Sequence, residues 1–152
     1  MTLIDMVVSF LLLPATIFDT PTRPVDFDSD HATINNRSFT LYRARTPEQW
    51  QQGFKGRDVG RGEAMLFEFP RAGWRMFWMK DTTVPLDLVF LDGGFHVVKV
   101  FEDAQPCRFL CKSYIARAHY VLEFRAGVAR ELGLVEGSKI TLSTFQKPAP
   151  SP

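Results

Sequence analysis

Four apolar, aromatic-rich runs follow one another between Glu63 and Phe101: EAMLFEF (63–69), WRMFWMK (74–80), LDLVFLD (86–92) and FHVVKVF (95–101). Only PRAG, DTTVP and GG separate them. Connections this short cannot hold a crossover helix, so the runs are predicted to be consecutive antiparallel strands. Gly93-Gly94 is the strongest hairpin signal in the chain, because two glycines accept the positive φ that tight hairpin turns require.

The flanking sequence extends this core. HATINNRSFTLYRA (31–44) predicts two strands around Asn35-Asn36, and in the second Phe39 and Leu41 alternate with polar residues at the period of a half-buried strand. Thr46 as N-cap, Pro47 at the first helical position and Gln49 completing a capping box predict a two-turn helix carrying Trp50 and Phe54 on one face. HYVLEF (119–124) reads as a strand, AGVARELGL (126–134) as a short helix, and GSKITL (137–142) as a last strand. Ten Pro and ten Gly among 152 residues favour many turns. The predicted class is α+β: a small, strongly curved, mainly antiparallel sheet or barrel of seven to eight strands with two short helices.

The chain ends read differently. MVVSFLLL (6–13) is apolar but shorter than the roughly 20 residues that span a bilayer. It has the length of a secretory h-region, yet no Lys or Arg precedes it and Asp5 is acidic. Residues 1–18 are expected to be a degenerate export or anchoring segment with membrane association, the alternative being a docked hydrophobic helix or a fraying terminus. Residues 19–30 read as a linker, 31–145 as one compact domain and 146–152 as a Pro-rich tail. The expected location is extracytoplasmic or membrane-associated, the alternative cytoplasmic. Eighteen basic and seventeen acidic residues give a net charge of +1, with no general pull toward nucleic acid, and RAGWR (71–75) is too small a basic cluster to change that.

Charge inside the greasy runs marks the candidate site. Asp87 stands among apolar neighbours in PLDLVF, and a buried, unpartnered carboxylate costs several kcal/mol. Lys80 and Arg75 are the nearest candidate cations; a purely structural alternative has Asp87 capping the preceding turn, helped by Thr82 or Thr83. As a ligand site, Trp78, Lys80, Asp81 and Asp87 would combine with Tyr114 to hold a small polar molecule such as a carbohydrate, aromatics giving stacking area and charges fixing orientation. A second reading is a hydrolase with Asp87 and Glu102 or Asp81 as paired carboxylates. A third is a structural or partner-binding domain without a pocket. No nucleophile sits beside an obvious base, and no P-loop, dinucleotide fingerprint, G-x-S-x-G or H-E-x-x-H occurs. No cofactor or metal is expected.

Cys107 and Cys111 are four apart. On a helix their Cβ atoms would lie about 5–6 Å apart, beyond the roughly 3.5–4.5 Å a disulfide needs. Pro106 favours a loop, so a bridge is expected, with free thiols or a metal site using His96 or His119 as alternatives. Such a loop gains only about 2 kcal/mol by the entropic account.

GEAMLFEFP (62–70), FWMKDTTVPLDLVFLD (77–92), PCRFLCKSY (106–114) and YVLEFRAGVARELGLVEGSKITL (120–142), in that order, resemble the family called domain of unknown function 192. The resemblance runs from about Phe39 to Leu142. It implies the small β-rich fold and an N-terminal signal or membrane segment, and no chemistry. Two departures stand out: Asp81 where the family has Asn, and Ala64 where it has Gly. An added carboxylate beside Lys80 would alter ligand preference.

Overall fold

A computed structural model describes residues 24–145. The expectations for residues 1–18 and for the tail at 146–152 lie outside the described residues. The elements run β1 (Asp28–Ile34), β2 (Arg37–Ala44), α1 (Pro47–Gln52), β3 (Glu63–Phe77), β4 (Leu86–Leu91), β5 (Val97–Ala104), β6 (Tyr114–Arg125), α2 (Val128–Glu131) and β7 (Leu142–Phe145). They form one seven-stranded sheet in the order β5-β4-β6-β3-β2-β1-β7. All pairings are antiparallel except β2 with β3, which is parallel across α1.

Local chemistry accounts for most boundaries. Asn35 and Asn36, at φ 44° and 66°, make the β1–β2 turn. The Thr46 hydroxyl accepts from the Gln49 amide, and the Gln49 side chain accepts from the Thr46 amide, completing the capping box. Asp92 Oδ1 accepts from the Gly94 and His96 amides and so holds the β4–β5 hairpin.

Several expected boundaries are corrected. The runs 63–69 and 74–80 are not separate strands: β3 is continuous through residue 77, with a register irregularity between Glu68 and Gly73. The reason is β6, which begins at Tyr114 rather than 119 and continues opposite both halves; Pro70, lacking an N–H, falls where the ladder is interrupted. The predicted helix at 126–134 is helical only over Val128–Glu131. The last strand is β7 at Leu142–Phe145, not 137–142, while β1 starts at Asp28, inside the stretch read as a linker.

The sheet is strongly curled without closing into a barrel. Residues 137–140 bond to the start of β5 through Val97 N to Ser138 O (2.8 Å) and Ile140 N to Phe95 O (2.9 Å). The same segment then continues into β7 on the opposite edge, beside β1. Beyond the irregularity, the second half of β3–β6 bends over one face: Phe77 stacks edge-on against Phe90, and Tyr114 against Phe101 of β5, two strands away. The central strands therefore have apolar cores on both faces. One contains Leu41, Leu66, Val89, Leu122 and Phe124 under α2; the other contains Phe54, Met65, Phe67, Leu88, Phe90 and Val121 beneath the bent hairpin.

Candidate functional site

Alternation along β4 and β6 sends their two embedded carboxylates to opposite faces. Asp87 pairs in register with Phe124 on the α2 side, and Glu123 pairs with Leu88 and Met65 on the hairpin side. Both are buried, Asp87 fully and Glu123 at 6% exposure. Their surroundings differ.

Asp87 is satisfied by backbone. Its Oδ1 accepts from the Asp103 amide and its Oδ2 from the Ala129 amide, each at 2.9 Å. Two features make this fit. The β4–β5 register jumps from Leu86↔Ala104 to Leu88↔Phe101, an extra residue on β5 that leaves Asp103 at φ 52°. And the N-cap of α2 is Gly127, which has no side chain to cap it, so Asp87 supplies the missing acceptor from a neighbouring strand. The sequence expectation of cations or the preceding turn as its partner is corrected: Thr82 Oγ1 donates to Met79 O and Thr83 Oγ1 to Arg57 O, neither to Asp87.

Glu123 has no such arrangement. Its Oε2 is buried without a hydrogen-bond partner, and burial pushes its carboxyl up to about 8. It lies at a cleft of about 530 Å³ between α1 and the bent half of β3. Phe54, Phe67, Phe69 and Phe77 contribute aromatic lining, together with Trp50, Trp74 and Trp78. The Trp50 indole donates to Ala44 O (3.0 Å) and its ring lies 4.9 Å from Phe69, which fixes one wall. Trp74 and Trp78, 75% and 46% exposed, leave aromatic surface free at the other. Arg75 also lines the cleft, its guanidinium 4.0 Å from the Phe69 ring centre and its Nε buried without a partner; burial lowers its pKa. Gly53 ends α1 at φ 47°, a conformation that suits glycine, and a Cβ there would face Phe67 and Glu123 at ordinary contact distance.

The predicted site residues are not gathered into this cleft. Only Trp78 lines it. Asp81 lies in a shallow hollow with Cys107 and Arg108, and Tyr114 and Glu102 in another along β5; Lys80 is exposed and lines neither, and Asp87 lines none of the three. Glu102 is bound to Arg130, so the three carboxylates of the hydrolase reading do not share a cleft. Cys107 and Cys111 are joined as a disulfide. Cys107 is also a backbone anchor: its amide donates to Met79 O and its carbonyl accepts from Asp81 N, both at 3.0 Å, which locks the loop after β3. Among the described residues no three His, Cys, Asp or Glu side chains cluster as a metal site, and no helix is long and apolar enough to cross a membrane.

Sequence reasoning missed Glu123 because LEF in a half-buried strand reads as a carboxylate on the wet face. The available signal was YVLEF itself: in a strand apolar on both sides, a glutamate is as anomalous as Asp87 in PLDLVF.

Comparison with known proteins places these features. The model of the family described as "Uncharacterized ACR", domain of unknown function 192, matches residues 30–142. The chain belongs to this family. No curated protein matches it. Among solved structures, this member of domain of unknown function 192 is similar to one from Sinorhizobium meliloti 1021 described as a "putative transcription regulator", at 28% identity and TM-score 0.67, covering 79% of this chain and 96% of that one. It is also similar to a protein of unknown function from Novosphingobium aromaticivorans DSM 12444, at 25% identity and TM-score 0.65, covering 80% and 89%.

Proposed function

We propose that this domain of unknown function 192 is a non-enzymatic binding module whose cleft takes a small polar, uncharged ligand of the carbohydrate type. The observation that carries the reading is Glu123: a buried carboxyl with an unpartnered oxygen, at the floor of an aromatic-walled cleft. With its pKa raised to about 8, the carboxyl holds its proton at neutral pH and offers an O–H donor beside a carbonyl acceptor, a pairing suited to a hydroxyl group. A pyranose face stacks on tryptophan, and Trp74 and Trp78 present that surface at the rim. Arg75 Nε adds a second donor. An extracytoplasmic location, where the Cys107–Cys111 bridge persists, fits the same reading.

The description of the Sinorhizobium structure suggests nucleic acid as an alternative ligand. Arg75 and Lys55 line the cleft and could meet a phosphate, but the neutral carboxyl at its floor pairs with a hydroxyl rather than with an anion. The test is a thermal-shift screen of neutral mono- and oligosaccharides on the whole chain and on Glu123→Leu and Trp78→Ala. At about 100 times Kd a specific ligand adds roughly 2.7 kcal/mol to apparent stability, and both substitutions should reduce that gain. A panel without any concentration-dependent shift, or shifts indifferent to both substitutions, rejects the reading.

A further inference from the structure

The charge of this chain is balanced overall but not in space. Segments 70–80 and 105–118 contain six of its eighteen basic residues and none of its seventeen acidic ones, leaving twelve basic against seventeen acidic elsewhere. The fold joins the two segments. Trp74 lies opposite Arg117 and Met76 opposite Ile115 across the bent hairpin, Phe77 pairs with Tyr114, and Lys80 bridges to Cys107. Five of the six cations, Arg71, Lys80, Arg108, Lys112 and Arg117, are exposed, and among the described residues none of the five forms an ion pair.

The same surface is apolar where it projects furthest. The disulfide closes the loop CRFLC so that Phe109 and Leu110 stand 87% and 104% exposed, with Leu110 at φ 49°. Along the bent hairpin that leads to this loop, Trp74, Met76 and Ile115 are at least half exposed. Asp81, Glu102 and Asp103 border the same hollows as Arg108, Leu110 and Lys112, and Glu102 is already paired with Arg130, so the cations outnumber the carboxylates here. Exposed large apolar side chains flanked by such an excess of cations match a bilayer interface carrying anionic headgroups: the apolar groups enter the acyl boundary and the cations meet the phosphates. Nucleic acid would use the cations, but its interfaces are too polar to cover so many exposed apolar side chains, and a second copy of the chain would bring like charge against like.

We propose that this end of the domain docks onto the surface of an anionic lipid bilayer, through the Phe109-Leu110 loop and the cations around it. This is separate from any contribution of residues 1–18; the surface meets the cleft only at its rim, where Trp74 and Met76 line both.

The experiment is sedimentation of the whole chain with phosphatidylcholine vesicles containing 0 or about 30% phosphatidylglycerol, at low and high salt. Binding should require the anionic lipid and weaken as salt screens it. Phe109→Ser with Leu110→Ser should reduce partitioning at least about tenfold, and Arg108→Gln with Lys112→Gln about fivefold per charge removed. Circular dichroism of both variants should match the parent, because all four side chains lie on the surface. Variants that bind as the parent does would assign any binding to another segment and overturn the proposal. So would binding indifferent to anionic lipid, a dimer that the Phe109/Leu110 variant dissociates without vesicle binding, or DNA binding lost only with the cations.

Discussion

Glu123 and Asp87 are near neighbours in adjacent strands, and the difference between them is what the backbone offers. Asp87 meets two amides; Glu123 meets none at Oε2. Removing Asp87 therefore strands the buried Ala129 amide and the partly buried Asp103 amide and uncaps α2, and Asp87→Ala should lose roughly 2–4 kcal/mol in urea denaturation. Unchanged stability would mean water replaces the carboxylate at no cost. Glu123 acts with the opposite sign. Its folded-state pKa, about 8, lies above the ordinary 4.5, so between those values the folded chain keeps a proton that the unfolded chain releases. Stability accordingly falls as pH rises through that window and levels off above it, a cost of roughly 3 kcal/mol at pH 7 and about 5 above pH 8. Glu123→Gln cannot ionise, so it should match the parent near pH 4 and exceed it by several kcal/mol at pH 8.5. Denaturation curves that move together from pH 5.5 to 8.5 would contradict this. A side chain that costs stability at working pH is the kind retained for binding. The sequence disclosed that Asp87 needed a partner, because charge among apolar neighbours is visible in one dimension; it could not disclose the partner, which comes from a bulge 16 residues away and a helix 42 residues away.

Among the elements, those specified by neighbouring residues were legible and those specified by distant pairing were not. The capping box at Thr46–Gln49, the Asn35-Asn36 turn and the Gly93-Gly94 hairpin rest on contacts within a few residues. PRAG read as a turn on the same local grounds, yet β6 runs past it and holds both sides in one ladder. The disulfide loop is a local element with a non-local effect. Its closed ring is small, so the bridge contributes only about 2 kcal/mol by constraining the unfolded chain. But Cys107 also makes a backbone bond to each of Met79 and Asp81. Replacing both cysteines by serine should lower stability by about 2 kcal/mol, and hydrogen exchange at the Asp81 amide should speed up more than at amides of central β6. Uniform acceleration across the sheet would show the bridge acting on global stability alone.

Over the whole molecule the curled sheet separates two tasks by face. The face under α2 is closed: Asp87 is spent on backbone, and Val128 and Ala129 seal it. The face under the bent hairpin opens at the cleft over Glu123, and all three tryptophans of the chain line it. A mixed sheet with one parallel pair, curled until one segment spans both edges, lies beyond any reading of strand runs in order, because it depends on β2 and β3 pairing across α1. The segregation has a measurable consequence. With Trp50, Trp74 and Trp78 at the cleft, ligand entry should change intrinsic emission while the fold stays intact. For a neutral polyol accepted by the protonated carboxyl, the amplitude-derived affinity should decline as pH passes about 8, where Glu123 ionises and its O–H donor is lost. Asp87→Ala should leave that affinity unchanged in the fraction that remains folded, and Glu123→Leu should abolish its pH dependence while leaving the chain at least as stable. An affinity that follows Asp87 rather than Glu123 would move the site to the α2 face and refute the division of labour argued from the two carboxylates.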